Sequence, residues 1–187
     1  MYQEKAVFAL VGVIVGFLAN KIYDIAASIL ERRKIHKGLL EELESLDSDL
    51  TNLKAICENR LEQGNSYHEG RFPRKIQSPI YNKYYADICL YLNRSQRCSF
   101  EQIYVIVEEL NQFISRFFKE RCDKGNCSSD CKATIATNYA SVCDLIFLVN
   151  NHIKYEKQPI ISSQIEVELG QHRKDVDDHL RKYGLQE

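Results

Sequence analysis

The hydrophobic pattern begins with an uncharged run near the N-terminus, AVFALVGVIVGFLA, at residues 6–19. As a helix this run is about 21 Å long, which is shorter than the roughly 30 Å hydrocarbon core of a bilayer. Tyr2 and Tyr23 at its flanks suit membrane interfaces, and the side chain of Lys21 can extend to the headgroups. The pattern therefore predicts a tilted single span over about residues 5–23. A cleaved signal peptide, an interfacial helix and a buried core helix are the alternatives.

A heptad pattern of mostly apolar residues follows this run. No proline occurs before Pro73, so one helix is predicted from the span to about Leu61. Such a pattern fits either a coiled coil between copies or one wall of a bundle within a copy. A parallel dimer would place Glu42 against Asp47, and further apolar positions widen the stripe, so the bundle is favoured. The positions of the pattern are Ile22, Ile25, Ile29, Arg32, His36, Leu39, Leu43, Leu46, Leu50, Leu53 and Cys57.

Four shorter helices are predicted beyond a polar loop at about residues 64–78. The third helix of the chain has the broadest apolar face, and Phe113 and Phe117 are expected to be buried there. The predicted fold is all-α: one N-terminal transmembrane helix continues into a long amphipathic helix, followed by an antiparallel helical bundle. The four shorter helices are predicted to start at Ser78–Pro79, at a capping box formed by Ser99 and Gln102, at Ser129 or Asp130, and at a capping box formed by Ser163 and Glu166.

Length and charge divide the chain into an anchor and one domain. Residues 1–30 are predicted to form the transmembrane anchor, and residues 31–187 a helical-bundle domain with loops at about 64–78 and 121–129. Only Lys5 precedes the span, whereas a basic block at residues 32–37 follows it, so the N-terminus is expected outside and the domain in the cytoplasm. The net charge is -1, so nucleic acid is not an expected partner. Membrane lipid is an expected partner, with the basic block at its anionic surface.

Three cysteines in the segment ERCDKGNCSSDC are the main candidates for metal chemistry. Cys122, Cys127 and Cys131 have the spacing C-x4-C-x3-C, which lacks the CxxC pairs of most zinc sites, and a fourth ligand such as Cys98 would be needed. Ordinary thiols are the favoured interpretation, and zinc as a cofactor or a disulfide are the alternatives. A second candidate metal face on the last helix comprises His172, Asp175 and His179.

Two other groups of residues are candidate binding sites. Gly12 and Gly16 form a GxxxG step one turn before Asn20, a pattern that allows close association of two membrane helices. Arg71, Arg74 and Lys75 lie in the polar loop next to aromatic residues and are candidates for contact with a phosphate or nucleotide. A solvated connector explains the same loop composition.

No catalytic motif is present in the sequence, so the function is inferred from its organisation. The first hypothesis is a non-enzymatic, membrane-anchored interaction or scaffold protein that binds a protein partner or another copy of itself. The alternative is an effector that oligomerises and disrupts membranes, as in some bacterial defence systems, when its soluble domain binds a ligand or partner. A metal-dependent enzyme is the third hypothesis. The sequence does not identify a small ligand.

Overall fold

Helices account for nearly all of the structure. The computed structural model describes residues 2–63, 74–124, 129–156, 159 and 163–184. The elements are α1 (Tyr2–Gln63), α2 (Pro79–Ile88), a 3-10 turn (Cys89–Tyr91), α3 (Arg94–Lys124), α4 (Ser129–Lys154) and α5 (Ser163–Arg181). The described ranges contain no strand. The predicted all-α fold, with one long N-terminal helix leading into a bundle, is therefore confirmed.

The first helix has two halves with different surroundings. We call residues 12–30 of α1 the stem; every position in it is exposed except Ser28, which is half-buried. Beyond the stem, the heptad positions from Leu39 to Cys57, and Leu61 after them, are buried against other helices of the same chain. This half of the heptad pattern is therefore a wall of the bundle, as its width suggested.

The bundle is organised around α4, which packs against α1, α3 and α5. Asn150 donates a hydrogen bond to Asp47, and Tyr139 donates one to Glu58, so α4 runs antiparallel to α1. Within the described residues, α1 and α4 are the two helices long and apolar enough to cross a membrane. The apolar window of α1 is 0% buried, whereas that of α4 is 44% buried, as expected for a core helix.

The predicted start of α2 is confirmed, but its capping is different. The Ser78 side chain makes no cap hydrogen bond. Instead, the carboxylate of Glu42 on α1 accepts from the backbone N–H of Ile80 at 2.6 Å and of Tyr81 at 3.1 Å. An N-terminal helix turn has unpaired N–H groups and a partial positive charge, and a carboxylate satisfies both.

The predicted start of α3 at Ser99 is wrong, because the helix begins at Arg94. Asn93 and Gln96 form the capping box: Gln96 N–H donates to Asn93 Oδ1 at 2.9 Å, and Asn93 N–H donates to Gln96 Oε1 at 3.0 Å. Ser99 is buried in the second turn. The side chain of Phe113 is only half-buried, and Phe117 lies outside the part of the chain whose side chains are described. The least exposed core side chains include Leu39, Leu43, Leu50, Phe100, Ile103, Leu110, Ile114, Val142, Leu145 and Val149.

Candidate functional site at the stem end of the bundle

The stem projects from the bundle and lies apart from its core. Its 19 positions give a length of about 28 Å, and its large apolar side chains are exposed, for example Val13 at 72% and Ile22 at 68%. In the described part of the chain, a methyl group added at Gly12 or Gly16 would meet no atom within 4 Å. Asn20 is exposed as well. The predicted association face is thus open, and no segment of this chain covers it among the described residues.

The end of the bundle from which the stem emerges, here called the stem end, brings a basic side chain onto an aromatic ring. The guanidinium carbon of Arg32 lies 3.4 Å from the centroid of the Tyr91 ring in the 3-10 turn. This is a close cation–π contact, and it ties the α2–α3 connection to the first residues of α1 beyond the stem. The remaining basic residues of the block, Arg33, Lys34 and Lys37, are exposed.

The 3-10 turn itself exposes two large apolar side chains. Leu90 is 77% exposed and Tyr91 is 56% exposed. The residues on either side of this pair anchor the turn, because Ile88 is 2% exposed and Leu92 is 7% exposed in the core. The turn therefore holds Leu90 and Tyr91 outward on a fixed backbone.

A histidine pair lies inside the stem end. His152 is fully buried near the end of α4, and its Nδ1 lies 2.8 Å from Ser99 Oγ. On α1, His36 places its Nδ1 3.8 Å from a carboxylate oxygen of Glu156. Among the described residues, neither His152 Nε2 nor His36 Nε2 has a hydrogen-bond partner. Burial, and then the neighbouring His36, lower the pKa of His152 to about 4, so His152 is neutral at pH 7.

A buried carboxylate joins three helices above the histidine pair. Glu42 is 8% exposed and accepts a 2.6 Å hydrogen bond from the Tyr104 hydroxyl, besides the two from the start of α2. Burial and this bond raise the pKa of Tyr104 well above its ordinary value, so Tyr104 is the donor. Glu42 thereby fixes α2 and α3 on α1.

The basic loop residues divide between described and undescribed parts of the chain. Arg71 lies outside the described residues, and Arg74 and Lys75 are exposed. Lys75 lines a polar cleft of about 400 Å³ together with Arg116 and Glu108, among others. The loop end is held at Ile76, because Asn111 accepts from its N–H at 2.8 Å and donates to its carbonyl at 3.0 Å. The cleft thus has two cationic side chains and one acidic one. Binding of a phosphate in the cleft remains a prediction.

The metal candidates have different outcomes. The side chains of Cys122, Cys127 and Cys131 lie outside the described part of the chain. Among the side chains that are described, no three His, Cys, Asp or Glu residues are arranged to hold a metal. The second metal prediction is therefore wrong: His172 stacks on Phe147, and His179 stacks on Tyr139. These histidines face aromatic rings of α4 and attach α5 to the bundle.

The cysteines whose side chains are described are free thiols, and two of them lie in the core. Cys57, Cys89, Cys98 and Cys143 are not in disulfides, and Cys57 and Cys143 are buried. Burial raises the pKa of the Cys57 thiol to about 12, so it is protonated and acts as a small apolar side chain.

Comparison with known proteins adds no relative. No family model matches the chain, and neither a curated protein nor a solved structure matches it.

Proposed function

We propose that this chain is a membrane-anchored helical interaction protein. The first half of the stem and the apolar residues before it span a bilayer over about residues 5–23, and the bundle is held close to the membrane surface. The observation that supports this proposal is the stem itself, an exposed and mainly apolar helix that no part of the bundle covers within the described residues. Exposed apolar surface of this extent is unfavourable in water and requires a lipid or protein environment.

The orientation follows from the charges at the two ends of the stem. The basic block of residues 32–37 lies directly beyond it, whereas Lys5 is the lone basic residue of the sequence before it. A bilayer retains such a block on the cytoplasmic side. In this proposal the bundle is cytoplasmic, the N-terminus lies outside, and the bundle surface binds a protein partner or another copy of the chain.

Membrane fractionation tests the anchor with a matched control. Ile14 and Val15 are both exposed in the stem, so arginine at both positions leaves the bundle core unchanged. Each arginine near the centre of a span costs about 2.5 to 3.5 kcal/mol on the insertion scale. We expect the full chain to remain in the membrane pellet after alkaline carbonate extraction and the Ile14→Arg, Val15→Arg variant to move to the supernatant.

The control is Val105→Arg, at a 58% exposed position of α3 in the bundle. It adds a charge to the surface and should leave the protein in the pellet. Extraction of the unmodified chain by carbonate would contradict the anchor, as would equal pelleting of the stem variant and the control.

A second candidate function is supported by the open glycine face. Because Gly12, Gly16 and Asn20 are all free of neighbours or exposed, two stems can pack closely and pair their Asn20 side chains. An assembly of stems would be the membrane-disrupting effector, with the bundle as the part that responds to a ligand or partner. Crosslinking of glycine variants, described in the Discussion, separates this function from a simple anchor.

A further inference from the structure

We propose that the Leu90–Tyr91 turn is a second membrane contact, which docks the bundle on an anionic bilayer surface beside the stem. This inference rests on the proposed function, because the stem must first place the bundle at a membrane. It adds a specific surface and a specific partner: the headgroup layer of a bilayer containing anionic lipid.

The position of the turn follows from the direction of α2. Near its start, α2 donates to Glu42 on α1, and near its end Tyr91 contacts Arg32. These contacts on α1 are ten residues apart, so α2 runs toward the stem and its end lies about 15 Å closer to it. Arg32 is the second residue beyond the stem. The turn is therefore at the membrane-facing end of the bundle, about 13 Å along α1 beyond residue 23, where the predicted span ends.

The side chains at this level match a membrane interface. A leucine and a tyrosine that point outward from a fixed turn provide the apolar and amphipathic groups found at headgroup depth. Arg32 covers one face of the Tyr91 ring, which leaves the rest of the ring and Leu90 exposed. Ile88 and Leu92 secure the turn in the core on either side of this pair.

Charge favours an anionic surface as the occupant. The exposed basic residues around the turn are Arg33, Lys34 and Arg94, in addition to the half-buried Arg32. The acidic residues at this end are Glu31, Asp87 and Glu156, and with Lys154 at the end of α4 the basic residues are still in excess. A negative leaflet attracts such clusters over a distance of about a Debye length, and the turn then enters the headgroup layer.

The absence of tryptophan from the sequence permits a direct test. The full chain carrying Leu90→Trp is reconstituted in phosphatidylcholine vesicles with and without phosphatidylserine, and quenching by brominated lipid is measured. We expect a blue-shifted emission and quenching that increase with phosphatidylserine. Adding Arg32→Gln should lower the docked-to-undocked ratio about fivefold. Tyr91→Trp repeats the measurement with the leucine intact.

Two matched reporters distinguish the outcomes. Tyr23→Trp in the stem should be quenched in both lipid mixtures, whereas Val105→Trp, about 16 Å farther up α3 from its start, should not be quenched in either. If Tyr23→Trp is quenched and Leu90→Trp is not, docking is wrong and the span stands. If neither is quenched, both proposals fail. A blue shift at Leu90→Trp that depends on protein concentration instead of lipid identifies a second copy as the occupant and overturns the proposal.

Discussion

Removing the Glu42 carboxylate should loosen the attachment of both α2 and α3 to α1. The two carboxylate oxygens accept from the N–H groups of Ile80 and Tyr81, at 2.6 and 3.1 Å, and from the Tyr104 hydroxyl at 2.6 Å. In Glu42→Ala, these three donors lose their acceptor. The Tyr104 hydroxyl has the least access to solvent, since the residue is 7% exposed.

The size of the effect follows from the hydrogen bonds that the variant can no longer make. Loss of an N-cap acceptor costs about 0.5 to 2 kcal/mol. A buried donor left without a partner costs about 1 to 3 kcal/mol. Because one carboxylate provides both interactions, the costs overlap, and we expect Glu42→Ala to lower the free energy of unfolding by about 3 kcal/mol. For a chain of this length, that corresponds to a fall in Tm of about 6 to 12 °C.

The assay is urea unfolding of the full chain in detergent micelles, followed by near-ultraviolet circular dichroism of the buried tyrosines. Glu41→Ala is the control on the adjacent residue, since Glu41 is 61% exposed and pairs with the exposed Lys37 at 3.3 Å. Its loss should be below about 0.5 kcal/mol. In a double-mutant cycle, Tyr104→Phe should remove part of the Glu42→Ala cost, because the unpaired hydroxyl is then absent. Equal midpoints for Glu42→Ala and Glu41→Ala would refute the capping role.

Three further outcomes follow from the stem and the stem end. The neutral, buried His152 has a pKa of about 4 against an ordinary value of 6.5, so the unfolded chain binds the proton first as the pH falls. The contribution of the neutral imidazole to the free energy of unfolding is complete above about pH 6.5, and about 3 kcal/mol of it is lost as the pH falls to 4. The urea midpoint of His152→Gln should therefore lack this part of the pH dependence. Parallel pH profiles of the variant and the unmodified chain would contradict this expectation. Replacement of Gly12 and Gly16 by isoleucine should reduce crosslinking between copies in membranes without reducing the amount of membrane-bound protein; unchanged crosslinking and phenotype would leave the stem as an anchor alone. In intact cells, an impermeant thiol reagent should leave Cys122, Cys127 and Cys131 unlabelled, whereas ready labelling would reverse the orientation.

Periodic apolar residues made the long first helix and the bundle predictable. A repeat with steps of three and four specifies a helix face without knowledge of what covers it, and Leu39 to Cys57 are indeed buried. Local capping and proline signals, such as Ser78–Pro79, placed the starts of α2 and α5 correctly. The half-exposed Phe113 marks the limit of the periodic pattern, since a broad apolar stripe does not tell which of its edges reaches solvent.

Polar residues with distant partners could not be predicted from the sequence. Glu42 and Ile80 are 38 residues apart, and Ser99 and His152 are 53 apart, so no local pattern relates them. On a helical wheel, Glu42 resembles a solvated charge at the edge of the apolar stripe. Its burial depends on α2 starting directly opposite it. The wrong start of α3 has the same origin, because the hydroxyl of Ser99 contacts His152 and is not used as a cap.

The exposure of Leu90 and Tyr91 is a consequence of where α2 ends. If the helix continued past Ile88, Tyr91 would be three residues on from that core position and would lie on the same buried face. Instead, the chain tightens into a 3-10 turn and then extends at Leu92, with ψ of 145°, which returns Leu92 to the core and turns the preceding pair outward. The cap of α3 follows immediately at Asn93, so the two helix ends together determine which apolar side chains reach the surface beside the stem. An apolar pair exposed by the geometry of two helix ends, at the one end of the bundle next to a basic block, is the feature that a membrane contact would use.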